Sequence, residues 1–436
     1  MSIGKIIYYH RKKQHMTQEQ LCHGICSATH LSKIENNSKE ANIKTLQKLC
    51  ERLEISIEEE TKKTQLLKQK LDLFYDAMER LHKEKAATLY DELMEHKEFV
   101  QCLEIIYLYE LYMLRYLLYL DRFSEFEEES LKMKKDVPKY SSYELFVWKF
   151  LQAIYYGRTQ KYAQALNILN KLEEEAEQYS EKITDYYYYR ATTHGHMFQY
   201  SLSIDYANKA LAVFQDKNNI LRIMHIKIIM AVNLIYIGEF NRAEQMLGLI
   251  LSDADLLQDI IMKAMALHNL GYLHQRQGNV ETALEYFSQS LQFKQKYTHS
   301  YYLTISTIAE MLIQYNQHEK AVELLKPELD YFQDHKSSNY IKLKILYLEA
   351  TKNKKQLVKY LIKHVPPRGE QNVVLSNGMK YFDMIIAYYE EKNEITTAYH
   401  YLKISNQFLK KLLHNLESPL ELENLNLIST ENKLNF

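Results

Sequence analysis

AMALHNLGYLHQRQGNVETALEYFSQSL, residues Ala264 to Leu291, is the stretch from which the rest of the chain is read. Leu267, Leu270 and Phe287 supply bulk, Gly271, Ala283 and Ser290 supply gaps, and Gly278 stands between the two apolar runs. Small residues let two antiparallel helices approach closely, and the large ones fill the groove between one hairpin and the next.

That pattern resembles a tetratricopeptide repeat, and it recurs. Taking Ala283 as the reference, small or apolar anchors fall at Ala165, Ser203, Ala243, Ala321, Leu357 and Ala398, at steps of 36 to 41 residues. Weaker candidates at Ala87 and Glu129 extend the series backwards. Eight or nine helical hairpins are therefore expected, stacked into a right-handed superhelix whose concave groove is lined by the first helix of each. Composition agrees with an all-α fold. The 436 residues include only 10 Gly and 5 Pro, too few for the turns of a many-stranded sheet protein, and the 46% apolar share excludes wholesale disorder.

Several classes of protein are disfavoured. The most apolar stretch, Ile105 to Leu120, is interrupted by Glu110 and Arg115 and is shorter than a membrane span. Met1 to Gln18 carries Lys5, Arg11, Lys12 and Lys13 with no continuous apolar core, so no secretory signal is expected and a cytoplasmic location is. Cys22, Cys26, Cys50 and Cys102 have neither CxxC nor zinc-type spacing and read as packing residues. His194 and His196, two apart on a helix, face different ways, which disfavours a shared metal. No phosphate loop, HExxH or GxSxG is present, so neither an enzyme nor a cofactor is expected. The 37 tyrosines invite a base-stacking reading. Helical spacing of Tyr107, Tyr109, Tyr112, Tyr116 and Tyr119, and the run Tyr186 to Tyr189, suits half-buried repeat interfaces better.

Net charge is −1, yet the first 53 residues hold Lys5, Arg11, Lys12, Lys13, Lys33, Lys39, Lys44, Lys48 and Arg52 against Glu19, Glu35, Glu40 and Glu51. A local basic surplus of this kind favours an anionic partner. Ile3, Ile6, Ile7 and His10 mark a first helix. Thr17 with Gln20 forms a capping box for a second, which Gly24 ends. Ser27 caps a third with Leu31 and Ile34 on its inner face, and a fourth, Ile43 to Leu53, brings Ile43, Leu46, Leu49 and Leu53 to a small core. The third helix has a small, polar outer face, as a helix entering a major groove requires. Glu58 to Lys70 reads as a solvated helical connector. The expected domains are thus a helix-turn-helix over 1–57, a linker over 58–72 and the repeats over 73–436.

The run TQEQLCHGICSATHLSKIENN, followed by LQKLCERLEI, resembles the lambda-repressor-type helix-turn-helix of the RRNPP family of peptide-pheromone-responsive regulators, nearest to its PlcR and NprR branch. The resemblance implies DNA contacts at Gln18, Ser27, Thr29, His30, Ser32 and Lys33. Asn37 stands where the family usually has Gly, and Asn tolerates the left-handed exit. It also implies a quorum-sensing transcription regulator whose repeats hold a short peptide, with double-stranded operator DNA and a second copy of the chain as partners.

In the clearest repeat the groove positions are Met265, His268, Asn269, Tyr272, Gln275 and Arg276. The Asn269 amide can pair with a peptide backbone of any sequence, and family receptors use groove asparagines in this way. The same register offers Asp185, Tyr188, Thr192 and His196, then His225, Asn233 and Tyr236, then Ser306, Glu310 and Gln314. The expected peptide contacts are Tyr188, His196, Asn233, Tyr236, His268, Asn269, Tyr272, Arg276 and Glu310. The alternative is an interaction protein whose repeats sequester a phosphorelay partner, as Rap relatives do.

Overall fold

The structure, a computed structural model, describes residues 3–38, 42–179, 181–332, 337–364 and 378–417, with side chains to residue 410 in the last segment. Every regular element among them is a helix. Four short helices come first: α1 (Ile3–Lys13), α2 (Gln18–Cys22), α3 (Ala28–Glu35) and α4 (Ile43–Arg52). From α5 (Ile57–Glu79) onward helices run in consecutive pairs. α5 is followed by α6 (Lys83–Met94), then the short α7 (Lys97–Val100), then α8 (Ile106–Tyr119) with α9 (Phe123–Met133). α10 (Ser142–Arg158) leads to α11 (Tyr162–Lys171) and the short α12 (Glu173–Gln178). The remaining pairs begin with α13 (Tyr186–His196) and α14 (Tyr200–Asp216), α15 (Ile220–Tyr236) and α16 (Phe240–Leu256), and α17 (Ile260–Gln277) and α18 (Val280–Phe293). α19 (His299–Gln314) and α20 (His318–Tyr331), α21 (Ser338–Ala350) and α22 (Lys354–His364), and α23 (Gly378–Glu391) and α24 (Ile395–Glu417) complete them. The nine pairs match the expected number of hairpins. The chain divides into two compact units, one of residues 1–155 with 172–184, the other of 156–171 with 185–436.

Each of the nine pairs turns through one residue with positive φ: Leu81, Asp121, Gln160, Phe198, Gly238, Gly278, Asn316, Lys352 and Asn393. That conformation carries the next N–H back onto a carbonyl of the finished helix, as Gln199 N to His194 O at 3.0 Å and Asn279 N to His274 O at 2.9 Å. Only two of the nine are glycine, so most turns tolerate a Cβ in a region that disfavours it.

In the first unit the head closes on Ile7, Leu21, Leu31, Ile34, Leu49 and Leu53. Ile43 departs from expectation: it is 71% exposed, being the first residue of α4 and outside the core that Leu49 and Leu53 fill. α5 is one continuous helix, capped by the Ser56 hydroxyl, which accepts from Glu59 N. Its early Glu58 and Glu59 are exposed and its later Leu67, Leu71 and Phe74 are buried. The head meets these helices through His10 Nε2, 3.2 Å from Glu60, and through Tyr9 edge-on to Phe99 at 5.3 Å. Tyr109, Tyr112 and Tyr116 of α8 are buried, Tyr112 against Tyr75 at 4.4 Å and Tyr116 stacked on Tyr90 at 4.7 Å.

In the second unit the anchors Ala165, Ser203, Ala243, Ala283 and Ala321 are fully buried, and Leu357 and Ala398 nearly so. Earlier in the chain the register is displaced by one. Ala86, not Ala87, is buried, and Ser130, not Glu129, because Glu129 is exposed and paired with Lys132. Among the glycines of the repeat pairs the tightest contact is at Gly271, where an added Cβ would lie 2.7 Å from the fully buried Phe287 ring. Overpacking of this kind costs about 1–3 kcal/mol. Gly271→Ala is therefore expected to lower stability by about that amount in denaturant unfolding followed by helix circular dichroism, and Gly248→Ala, with open space around its Cβ, to leave it unchanged or raise it slightly.

Candidate functional site

Two sets of side chains are candidates, one on the head and one on the first helices of the repeat pairs. On the head, the sequence caps its own turn. Thr17 Oγ1 accepts from Gln20 N at 3.1 Å while Thr17 N donates to Gln20 Oε1 at 2.7 Å, and Ser27 Oγ accepts from His30 N at 3.2 Å. Gly24 has φ +69° and Asn37 φ +53°, so both breaks expected from the sequence are left-handed exits. α3 is clamped against α1 by a fork-to-fork pair. Arg11 Nε donates to Glu35 Oε1 at 2.6 Å and Arg11 Nη2 to Glu35 Oε2 at 2.9 Å, both residues buried. Arg11 also donates to Met16 O, and Gln18 Nε2 donates to Glu35 Oε2 at 2.7 Å. Gly4 permits the approach, since a Cβ there would lie 1.9 Å from Ile34 O.

This arrangement sorts the cations of the head. Arg11 is buried in its ion pair, and Arg52 donates to Leu21 O and His23 O. Both arginines serve the fold. Lys5, Lys12, Lys13, Lys33, Lys44 and Lys48 are exposed, and they carry the positive charge that can meet a phosphate. Of the expected DNA contacts, Ser27, Thr29 and Lys33 are exposed, His30 and Ser32 are half-buried, and Gln18 is half-buried with its amide engaged by Glu35. Thr29 and Lys33, four apart, share the outer face of α3, opposite Leu31 and Ile34.

On the repeats, the structure gathers some of the expected contacts and separates others. Tyr236, 39% exposed, stacks on Tyr200 at 4.7 Å and lies 5.9 Å from Tyr272. The Arg276 guanidinium sits 5.6 Å over the Tyr236 ring and donates to Tyr272 OH at 3.4 Å, so these three residues form one cluster. His196 stacks on Tyr162 at 4.5 Å, and Tyr188 lies under the Arg222 guanidinium at 4.7 Å. Glu310 pairs with Lys342 at 3.3 Å. Asn269 is half-buried and turns its Nδ2 to Met265 O of its own helix at 2.8 Å. Asn233 is placed otherwise. It is 3% exposed and donates to Ser203 Oγ at 2.7 Å, while Ser203 donates to Ala191 O, so its amide joins two hairpins. Asp185 and Ser306 are likewise buried.

A residue group that sequence reasoning passed over lies beside His268. His268 Nδ1 is 3.0 Å from Thr304 Oγ1, and Lys294 Nζ donates to the same oxygen at 2.6 Å and to Ser300 O at 3.1 Å. Burial, with the Lys294 charge nearby, pushes His268 down to about 3; burial pushes Lys294 down to about 8. His225 is held at about 4 by burial and then by Arg222. Among the described residues no group of His, Cys, Asp or Glu is placed to hold a metal ion, and no helix is long and apolar enough to cross a membrane.

The geometry defines a class: a helix-turn-helix head followed by tetratricopeptide-like repeats. Residues 7–59 match the helix-turn-helix family HTH_3. The chain is 26% identical over 415 residues to the transcriptional activator NprA of Geobacillus stearothermophilus, covering 90% of this chain and 99% of that protein. Its fold is similar to that of the quorum sensor NprR, in the apo form from B. thuringiensis (TM-score 0.62, 23% identity, 79% of this chain and 99% of that one). The similarity extends to NprR in complex with its cognate peptide NprX (TM-score 0.62, 24% identity, 79% and 98%). A Rap protein complexed with competence and sporulation factor is also similar (TM-score 0.63, 15% identity, 80% and 99%). The chain is thus similar over most of its length to a transcriptional activator, and in fold to peptide-binding regulators of the NprR and Rap kind.

Glu35→Ala leaves the Arg11 guanidinium buried without its carboxylate, which costs about 3–5 kcal/mol and is expected to unfold the head selectively, read by amide hydrogen exchange over 3–53. His225 and His268 are kept neutral in the fold, so the unfolded chain binds more protons below pH 6.5. Stability is complete above that pH and is lost as pH falls toward 4. In melting curves from pH 7 to pH 4, His225→Gln is expected to show a shallower decline than the parent chain.

Proposed function

We propose that the chain is a cytoplasmic quorum-sensing transcription regulator, with residues 1–57 binding operator DNA, 58–72 connecting, and 73–436 holding a short signalling peptide. The observation that carries this reading is the joint presence of the outward Thr29 and Lys33 of a tightly clamped α3 and a repeat array, in a chain that aligns with a transcriptional activator over nearly its whole length. A solved relative of the same fold is in complex with its cognate peptide. DNA reading falls to Ser27, Thr29, His30, Ser32 and Lys33, with Gln18 holding α3 in place through Glu35. Peptide binding falls to His196, Tyr236, His268, Asn269, Tyr272 and Arg276, with Tyr188 and Glu310 at the margins. A homodimer presents two α3 helices to a two-fold operator, and peptide shifts the array between packings of its hairpins. The protein carries out no catalysis.

A second reading has one observation in its favour: the array is as similar in fold to a Rap protein as to NprR. Repeats of this kind would then also bind a protein partner.

Lys33→Ala is expected to weaken binding to duplexes selected from a random pool about tenfold, and to lower the salt dependence by about one ion per subunit, with peptide binding intact. Unchanged affinity removes α3 from the DNA interface. Asn269→Ala is expected to reduce affinity for short peptides and to spare protein partners. Loss of protein binding alone favours the second reading.

A further inference from the structure

We propose that Lys294 is the anchoring cation for a carboxylate carried by the peptide that the array binds, an inference that rests on the peptide reading above and names the chemistry of the ligand. Lys294 follows α18 and reaches between α17 and α19, the first helices of two neighbouring pairs. Its ammonium is half-buried and meets only neutral oxygens, Thr304 Oγ1 and Ser300 O. Among the described residues no carboxylate lies within ion-pair distance of it. Lys263, whose ammonium lies over the ring of the preceding Phe293, is by contrast matched by Asp255. The end of α18 offers only the partial negative charge of its last carbonyls.

Lys294 Nζ donates to Thr304 Oγ1 and to Ser300 O, which leaves one of its three N–H groups over, and the His268 ring beside it is neutral. A charge desolvated to this degree without a counter-ion is costly to the fold. An arriving carboxylate removes that cost while gaining a charge-assisted hydrogen bond. The lowered proton affinity of Lys294 has the same origin.

The carboxylate can be a peptide C-terminus or an Asp or Glu side chain. The test exposes the immobilised full chain to four synthetic heptapeptide pools: free or amidated C-terminus, each with Asp and Glu allowed or excluded. Retained peptides are sequenced by mass spectrometry and their affinities measured by calorimetry. The expected result is that the amidated, acid-free pool is not retained, and that Lys294→Met weakens the retained peptides at least tenfold whereas Lys294→Arg keeps most of the affinity. Without peptide, Lys294→Met is expected to melt no lower than the parent chain. Retention of both free-terminus pools and neither amidated pool identifies the C-terminus as the source; retention of both acid-containing pools and neither acid-free pool identifies a side chain; retention of every pool but the amidated, acid-free one shows that both serve; each supports the proposal. Equal binding by Lys294→Met, or retention of the amidated acid-free pool, overturns it and leaves the peptide reading standing. A lower melting point for Lys294→Met with unchanged peptide affinity also overturns it. Failure of the parent chain to retain any pool removes the peptide reading and this one together.

Discussion

Two helices can pack at close range only where a side chain is cut back to a methyl, a hydroxymethyl or a hydrogen, and the repeat body depends on that condition being met again and again. Ala165, Ser203, Ala243, Ala283 and Ala321 meet it, each fully buried, and Gly271 meets it most tightly against Phe287. Each hairpin buries its apolar face only against its neighbours. The core is therefore a succession of local clusters, such as Leu234, Leu247, Leu270 and Leu273 in one and Phe287, Met311 and Leu312 in the next. Because the polar residues of the first helices carry little of this packing, several of them remain open for contact.

The head solves a different problem, presenting a thin helix rigidly. Its answer is electrostatic at the base and small at the tip. Arg11 and Glu35 lock α3 to α1 from the buried side, and Gln18 braces the same carboxylate. A bidentate guanidinium fork fixes orientation better than a lysine would. The arginines thus hold the head together while exposed lysines face outward, a division that follows from geometry and hydration: planar, weakly hydrated guanidinium suits burial, and a strongly hydrated ammonium suits a mobile phosphate contact.

Polar groups within the repeats divide in the same way. Asn233 with Ser203, and Asp185 with Arg222, are committed to joining hairpins. Tyr236, Tyr272 and Arg276 form an accessible cluster at the ends of first helices. The His268, Thr304 and Lys294 group lies between these extremes, internally bonded yet carrying an unmatched charge.

The amino-acid sequence by itself determined the helical class, the caps at Thr17 and Ser27, the exits at Gly24 and Asn37, and the anchor series from Ala165 to Ala398. Those features depend on local backbone preference or on a period along one chain, and both are written in order. It did not reveal most of the hairpin turns, since seven of the nine left-handed residues are not glycine and include Phe198 and Leu81. The one-residue displacement at Ala86 and Ser130 was also hidden, because neighbouring residues of similar kind compete for the same helical face. Which polar side chain is occupied and which is available was decided only by the tertiary structure. Asn233 and Asn269 look alike in their repeats, yet one amide is used across a helix junction and the other within its own helix. A hydrogen bond is fixed by the partner that folding brings within 3 Å, and for Asn233 that partner is thirty residues away.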